Sequence, residues 1–209
     1  MTVSSRIVGA EMPVMDQLGW AVWLAHATTS RVQDLPELVA DTPAGQDIVR
    51  QAMLGARDVV QTAGTIQALM LWVPDRATGA VEAVGVVSTI GWAAGTRPTR
   101  DQYLVDAQHR EPTKGVTILG SSVFPRDVET GPVAYEVMAT QSTSRRWGRS
   151  TELPPILQYR ATVFPPDCDD ALLLHIVLDD EALSDGCERG FYTFVHNVGI
   201  SVGPVEWQG

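Results

Sequence analysis

Cysteine is nearly missing from this chain of 209 residues, which holds two, Cys168 and Cys187. They lack CxxC spacing and stand apart from any pair of histidines, so the expectation is two reduced thiols with neither a metal nor a redox role. Lysine is scarcer, with Lys114 alone, and 15 basic residues against 25 acidic ones leave a formal charge of -10. That balance repels phosphate backbones and anionic lipid, which argues against nucleic acid and membrane surfaces as partners. Long apolar runs are absent as well. The longest nearly uncharged apolar stretch, Leu18 to Ala27, includes His26 and reaches about half of the ~20 residues a spanning helix needs. The start, Met1 to Arg6 followed by Ile7-Val8-Gly9-Ala10-Glu11, falls short of the roughly 7 to 15 apolar residues of a signal-peptide core, so the expected location is cytoplasmic.

Catalytic and cofactor motifs are equally sparse. No GxxxxGK[ST] occurs, and Lys114 precedes a strand rather than a phosphate loop. The serines of Gly85 to Gly91 and of Gly120-Ser121-Ser122 do not form GxSxG at a strand-to-helix turn. The histidines His26, His109, His175 and His196 fall in separate elements, without the i, i+4 partner that sets two imidazoles on one metal. Loop acids such as Asp169-Asp170 and Asp179-Asp180 could in principle bind calcium or serve acid catalysis, but solvation is the usual fate of acids flanking a strand. The expectation is therefore no cofactor and no metal. An enzyme reading survives only as a small hydrolase using His175 with a nearby serine or acid. A hydrogen-bonded sheet histidine is the simpler account, because a general base needs a nucleophile and an orienting group.

What is present describes a folded domain, expected as one unit over residues 1–209. Hydrophobic residues make up 44% of the chain and charged residues 19%, near globular averages, so a core needs no disulfide or metal. Asp41-Thr42-Pro43 is a polar cap followed by proline, and Ile48, Val49, Ala52, Met53, Ala56, Val59, Val60 and Ala63 recur at helical spacing up to Gly64. Ile66 to Val73 and Val81 to Ile90 read as strands of one hairpin, joined through Pro74 to Gly79. Thr99 to Arg110 reads as a second helix. Four strands follow over Val116 to Val123, Val133 to Gln141, Ile156 to Phe164 and Ala171 to Leu178, suggesting an antiparallel meander. Asp185-Gly186-Cys187-Glu188 resembles a capping box, ahead of Phe191, Phe194, Val195 and Val198 on one helix face. Leu18 to His26, where Trp20, Val22 and Leu24 alternate with Ala21, Trp23 and Ala25, reads as an N-terminal strand. Strands and helices do not alternate strictly, so the expected class is α+β: a largely antiparallel sheet of about six to seven strands with helices packed on it.

That order, with Gly131-Pro132-Val133-Ala134-Tyr135, Tyr159 to Pro165, and Leu172 to Leu178 leading into Phe191 to Val198, resembles the PsbP-like, Ran-binding Mog-type α/β/α sandwich, which includes the LpqN-like actinobacterial proteins. The resemblance spans roughly Trp20 to Val202 in order of elements. It implies binding or assembly factors rather than enzymes and supplies no catalytic residues. The lipidated cysteine and signal peptide typical of LpqN-like members are not seen at this N-terminus.

Two features point to partner binding. Arg145, Arg146, Trp147 and Arg149 form the densest basic cluster and fall between two predicted strands; arginine and tryptophan are favoured at binding hot spots, while the plain alternative is a solvated hairpin tip. In Ile156 to Phe164, Gln158, Arg160 and Thr162 face away from Leu157, Tyr159, Ala161 and Val163, the alternation of a sheet with one wet face free for a partner. The expected function is a non-enzymatic protein-binding or adaptor module, with an unknown protein or a second copy of the chain as partner. A carrier of a small apolar ligand is a further alternative.

Overall fold

The computed structural model describes residues 5–24, 29–62, 65–146 and 149–204, with the backbone alone at 29–33, 57–62, 145–146 and 149–150. Along the chain come β1 (Ser5–Glu11), β2 (Trp20–Leu24), α1 (Thr29–Val39), α2 (Pro43–Thr62), β3 (Ile66–Trp72), β4 (Ala83–Gly91), α3 (Arg100–Gln108) and β5 (Val116–Val128). Then follow β6 (Gly131–Arg146), β7 (Arg149–Glu152), β8 (Ile156–Val163), β9 (Asp170–Leu178), α4 (Ser184–Asn197) and β10 (Gly199–Pro204).

Local chemistry accounts for the helix starts. Thr42 Oγ1 accepts from the Gly45 N–H at 3.1 Å ahead of α2, and Pro43 gives up no bond because the first helical N–H has no partner within the helix. Ahead of α3, Thr99 and Gln102 close a reciprocal capping box, with Thr99 N–H donating to Gln102 Oε1 at 2.9 Å. The capping box expected at Asp185 does not form. Asp180 instead caps a 3-10 turn over Glu181–Leu183, accepting from Ala182 N–H at 2.9 Å. That turn runs directly into α4, so Asp185 lies inside the first helical turn, where its charge suits the positive end of the helix dipole.

The main sheet has eight strands, with neighbours in the order β2-β3-β4-β9-β8-β6-β5 and β7 paired to the far end of β6. Every pairing is antiparallel. The hairpin of β3 and β4 and the meander of β5, β6, β8 and β9 match the sequence reading, while β6 and β5 run on well past their expected ends. β1 and β10 make a separate two-stranded ribbon that the sequence reading did not contain. A clamp ties that ribbon to the sheet: Asp170 at the start of β9 accepts from Arg6 Nη1 at 2.6 Å and from the Ile7 N–H at 3.0 Å, while Asp169 N–H donates to the Ser5 carbonyl at 2.9 Å.

Helices cover both faces. On one, Cys187, Phe191, Phe194 and Val195 of α4, and Val198 just after it, lie against Tyr135, Tyr159, Leu172, Leu174 and Ile176, all buried. Trp20 and Trp72 stack in the same core with centroids 6.1 Å apart. Gly190 is the residue that lets α4 approach, since a Cβ there would lie 2.4 Å from Trp20 Nε1. On the opposite face, α1 and α2 bury Val39, Val49 and Met53 over β2 and β3, and α3 packs Leu104 with Ala134, Phe164 and Ala171. Cys168 and Cys187 are both buried and free, and burial pushes the Cys187 thiol up to about 12, which keeps it uncharged and unreactive.

Phe194 is 1% exposed between helix and sheet. Replacing it by Ala removes apolar contacts and leaves a hole, so Phe194→Ala is expected to cost about 3 to 5 kcal/mol. Urea unfolding reads this as a lower midpoint at unchanged slope; a midpoint that barely moves would place the ring outside the core.

Candidate functional site

The face opposite α4 is covered at its two flanks and not across its middle. α1 and α2 sit over β2 and β3, while α3 sits over β5 and β6. Between them β4, β9 and β8 present Val84, Val86, Ser88, Leu173, His175, Val177, Gln158 and Arg160, none of them buried. Val84 is 43% exposed. One cross-strand row carries the chemistry of this strip: Val86 pairs with His175, His175 with Arg160, and Arg160 with Glu136. Because side chains alternate along a strand, register alone puts these four on one face, within cross-strand reach of their neighbours.

Glu136 is the anchor. Its carboxylate is 1% exposed, and it accepts from Arg110 Nη1 at 2.9 Å and from the Tyr103 hydroxyl at 3.2 Å. Thr162 Oγ1 in turn lies 3.2 Å from Tyr103 and donates to it, so α3 and the loop after it are tied to the sheet floor through one carboxylate. Burial lowers the Arg110 pKa, but Glu136 and Tyr103 outweigh it and the net shift is upward. Arg160 is placed differently. Its Nη2 donates to Gln158 Oε1 at 3.3 Å, a long bond, and its Nε is buried with no acceptor among the described residues. Burial pulls its pKa down, Glu136 pulls it up, Arg110 pulls it down again, and the net shift is downward. A guanidinium nevertheless stays charged at neutral pH.

His175 Nε2 lies 3.0 Å from Gln158 Oε1. Gln158 Nε2 donates to Thr140 Oγ1 at 2.8 Å, which turns the amide oxygen towards the histidine and puts the imidazole proton on Nε2. Burial, and then the charge of Arg160, lower the His175 pKa to about 4. At neutral pH the strip therefore holds two guanidiniums, one carboxylate and a neutral imidazole, with one donor unused. Such an arrangement suits a carboxylate or another anion delivered from outside.

Of the residues singled out in the sequence, Arg160 stands at the centre of this strip and His175 beside it. Among the described residues, the side chain that bonds His175 is Gln158. Arg145, Arg146 and Arg149 are not on a loop, as expected, but at the ends of β6 and β7, where Arg146 pairs with Arg149 and Arg145 with Ser150. The long antiparallel pairing of β6 extends the ladder that far. Their side chains, and all of Trp147, lie outside the described residues. Arg145 lies nine positions along β6 from Glu136, about 30 Å at ~3.4 Å per residue, so the basic cluster and Arg160 are two places and not one. Glu136, Tyr103 and Arg110 were missed. A single acid inside Val133-Ala134-Tyr135-Glu136-Val137-Met138 was the available signal, since a charge within an apolar strand needs a partner.

Among the described residues, no group of three or more histidines, cysteines or acids is gathered to hold a metal, and no helix is long and apolar enough to cross a membrane. No family model matches the sequence, and no curated protein matches it. Two solved structures are similar in part. One is PA94 from Pseudomonas aeruginosa, a protein of unknown function described as a putative regulator, at TM-score 0.33 and 16% identity over 56% of this chain and 72% of that one. The other is cyanobacterial PsbP (CyanoP) from Synechocystis sp. PCC 6803, at TM-score 0.36 and 7% identity over 93% of this chain and 94% of that one. What the fold itself defines is an α+β protein, a mostly antiparallel eight-stranded sheet with helices on both faces. The particular role has to be argued from its surface.

Two tests separate the anchor from the free cation. Glu136→Gln strands two guanidiniums, one of them part-exposed and so partly screened, and is expected to cost about 2 to 3 kcal/mol in urea unfolding. Arg160→Met leaves Glu136 with Arg110 and Tyr103 and removes a buried donor without an acceptor, so stability should stay within about 1 kcal/mol. Equal losses from both would make Arg160 a structural partner.

His175 also predicts a pH dependence. With a folded pKa near 4 against about 6.5 unfolded, the unfolded chain binds the proton first as pH falls. Stability is then lost progressively between about pH 6.5 and 4, by about 2 to 3 kcal/mol. Unfolding midpoints of the native chain and of His175→Leu across that range should diverge by this amount; parallel curves would show that the ring is freely solvated.

Proposed function

We propose that this chain is a protein-binding module of the adaptor or assembly kind, and that the strip centred on Arg160 receives an acidic segment of its partner. The observation that carries the reading is the Arg160 guanidinium, charged, half-buried, and holding an Nε–H without an acceptor. The Nε–H itself is shut off from solvent, so a partner's carboxylate would pair with the charge of the guanidinium where Arg160 is part-exposed rather than with that donor. Around it Val84, Val86 and Val177 offer apolar contact, the usual surround of a charged anchor at an interface. The overall charge of -10 repels acidic molecules that cannot reach the strip, which favours a fitted partner over a merely acidic one.

The same reading includes a PsbP-like fold, resting on the succession helix, two strands, helix, meander and closing helix that α2 to α4 follow. It also includes a cytoplasmic setting, in keeping with two buried free thiols. Arg145 and Arg146 at the end of β6 and Arg149 at the start of β7, with Trp147 between them in sequence, are then a steering element acting on the rate of encounter.

A peptide array of Asp- and Glu-rich sequences, followed by fluorescence polarisation of the best binders, tests the proposal. Arg160→Met should weaken binding at least tenfold with the melting temperature unchanged, and peptides with Gln and Asn in place of the acids should fail. Changing Arg145, Arg146 and Arg149 together to Ser should flatten the salt dependence of association. If Arg160→Met binds as tightly as the native chain, the strip is not the docking surface.

A further inference from the structure

The strip around Arg160 is a groove with walls of helix and a floor of paired strands. β3 under α2 and β6 under α3 are four strand spacings apart, in the order β3-β4-β9-β8-β6, about 19 Å at ~4.8 Å each. Helices pack with their axes about 8 to 10 Å apart, so the gap admits one further helix, lying over β9 and touching both walls. Along β9 the floor runs from Leu173 to Val177, about 14 Å at ~3.4 Å per residue, or about two and a half turns of helix. At one end α3 stops it, where Thr162 bonds Tyr103 and Leu104 packs with Phe164 and Ala171. At the other end, past Val84, the wall is the first part of α2, which begins at the β3–β4 turn where Gly45 meets Gly79.

Backbone hydrogen bonding decides what kind of segment fits. β4, β9 and β8 are each paired with a strand on both sides, so the floor presents side chains and its N–H and C=O groups are taken up in the ladders. An extended peptide laid across it would bury backbone polar groups without partners. The flat sheet of a second copy is held off, because the flanking helices rise about 10 Å above the floor. A helix satisfies its own backbone and matches the gap in width. The floor then sets the pattern of its inner face: Val84, Val86, Leu173 and Val177 are apolar and not buried, and Arg160, part-exposed, is the charged residue among them. We infer that the groove takes an amphipathic α-helix of the partner, about three turns long, with apolar residues at i, i+3 and i+7 and a Glu or Asp at i+4 set against the Arg160 guanidinium. This rests on the acidic-segment reading above and adds the conformation of that segment. A helix so short is marginal in water, so it forms as it binds.

Two pools of displayed peptides, each about 14 residues long and equal in composition, are the probes, selected against the full chain. One pool sets Leu, Ile or Val at i, i+3 and i+7 with Glu at i+4; the other sets the same residues in strict alternation. The helical pool should enrich at least tenfold over the alternating one. Its best binder should gain helix by circular dichroism on mixing with the chain. It should lose at least tenfold in affinity when a central outward residue becomes proline, and gain at least threefold from an i, i+4 lactam on its outward face. Val84→Glu, at a position 43% exposed, should weaken it at least tenfold with the melting temperature unchanged. Enrichment of the alternating pool, or binding indifferent to proline, lactam or Val84→Glu, would overturn the helix in the groove and leave an acidic docking strip in place. Enrichment of neither pool would overturn the strip and the helix with it.

Discussion

The constraint on which this structure turns is the width of its sheet against the width of a helix. Seven strands side by side at ~4.8 Å span about 29 Å between the outermost two, whereas one helix shields about 10 Å. On one face α4 manages with the help of the β1 and β10 ribbon, whose Ile7, Ala10 and Ile200 extend the core that α4 begins. On the other face the helices are drawn to the flanks, where Trp23, Leu69 and Leu71 on one side and Ala134 and Ala171 on the other supply the apolar floor they need. The middle is left to side chains that tolerate water on one side.

Polar groups in that middle are arranged so that each burial has a reason. Glu136 is nearly inaccessible, yet it is satisfied by Arg110 and Tyr103, and so it orients α3 on the sheet. Gln158 mediates between Thr140, His175 and Arg160. Arg160 is the residue at which the accounting of donors and acceptors does not close, and unpaired donors in half-buried places mark sites where a structure expects company.

Strand β9 is the seam between these regions. Its inward residues Leu172, Leu174, Ile176 and Leu178 are fully buried against α4, its outward His175 stands in the polar row, and its first residue Asp170 grips Arg6 of the ribbon. Loss of the Asp170 clamp would loosen β1 and β10 without touching Arg160, because the ribbon lies over the α4 side.

By itself the sequence determined those elements whose local pattern matches their burial. Thr42-Pro43 starts α2, the row Phe191, Phe194, Val195 and Val198 turns α4 onto the sheet, and the alternation in Leu157 to Val163 separates the two faces of β8. Each works because a helix period or a strand period maps onto a single apolar face. It did not reveal the ribbon, since Ser5–Glu11 and Gly199–Pro204 are short and weakly apolar and become strands only by pairing with each other across almost the whole chain. Nor did it reveal that Asp185 is displaced from its cap by the turn in front of it. Arg160 could be read as outward-facing from its own strand, but Glu136, Tyr103 and Arg110 come from β6, α3 and the loop beyond. Their meeting depends on cross-strand register and on where α3 docks, which are decided by long-range packing that no local spacing encodes.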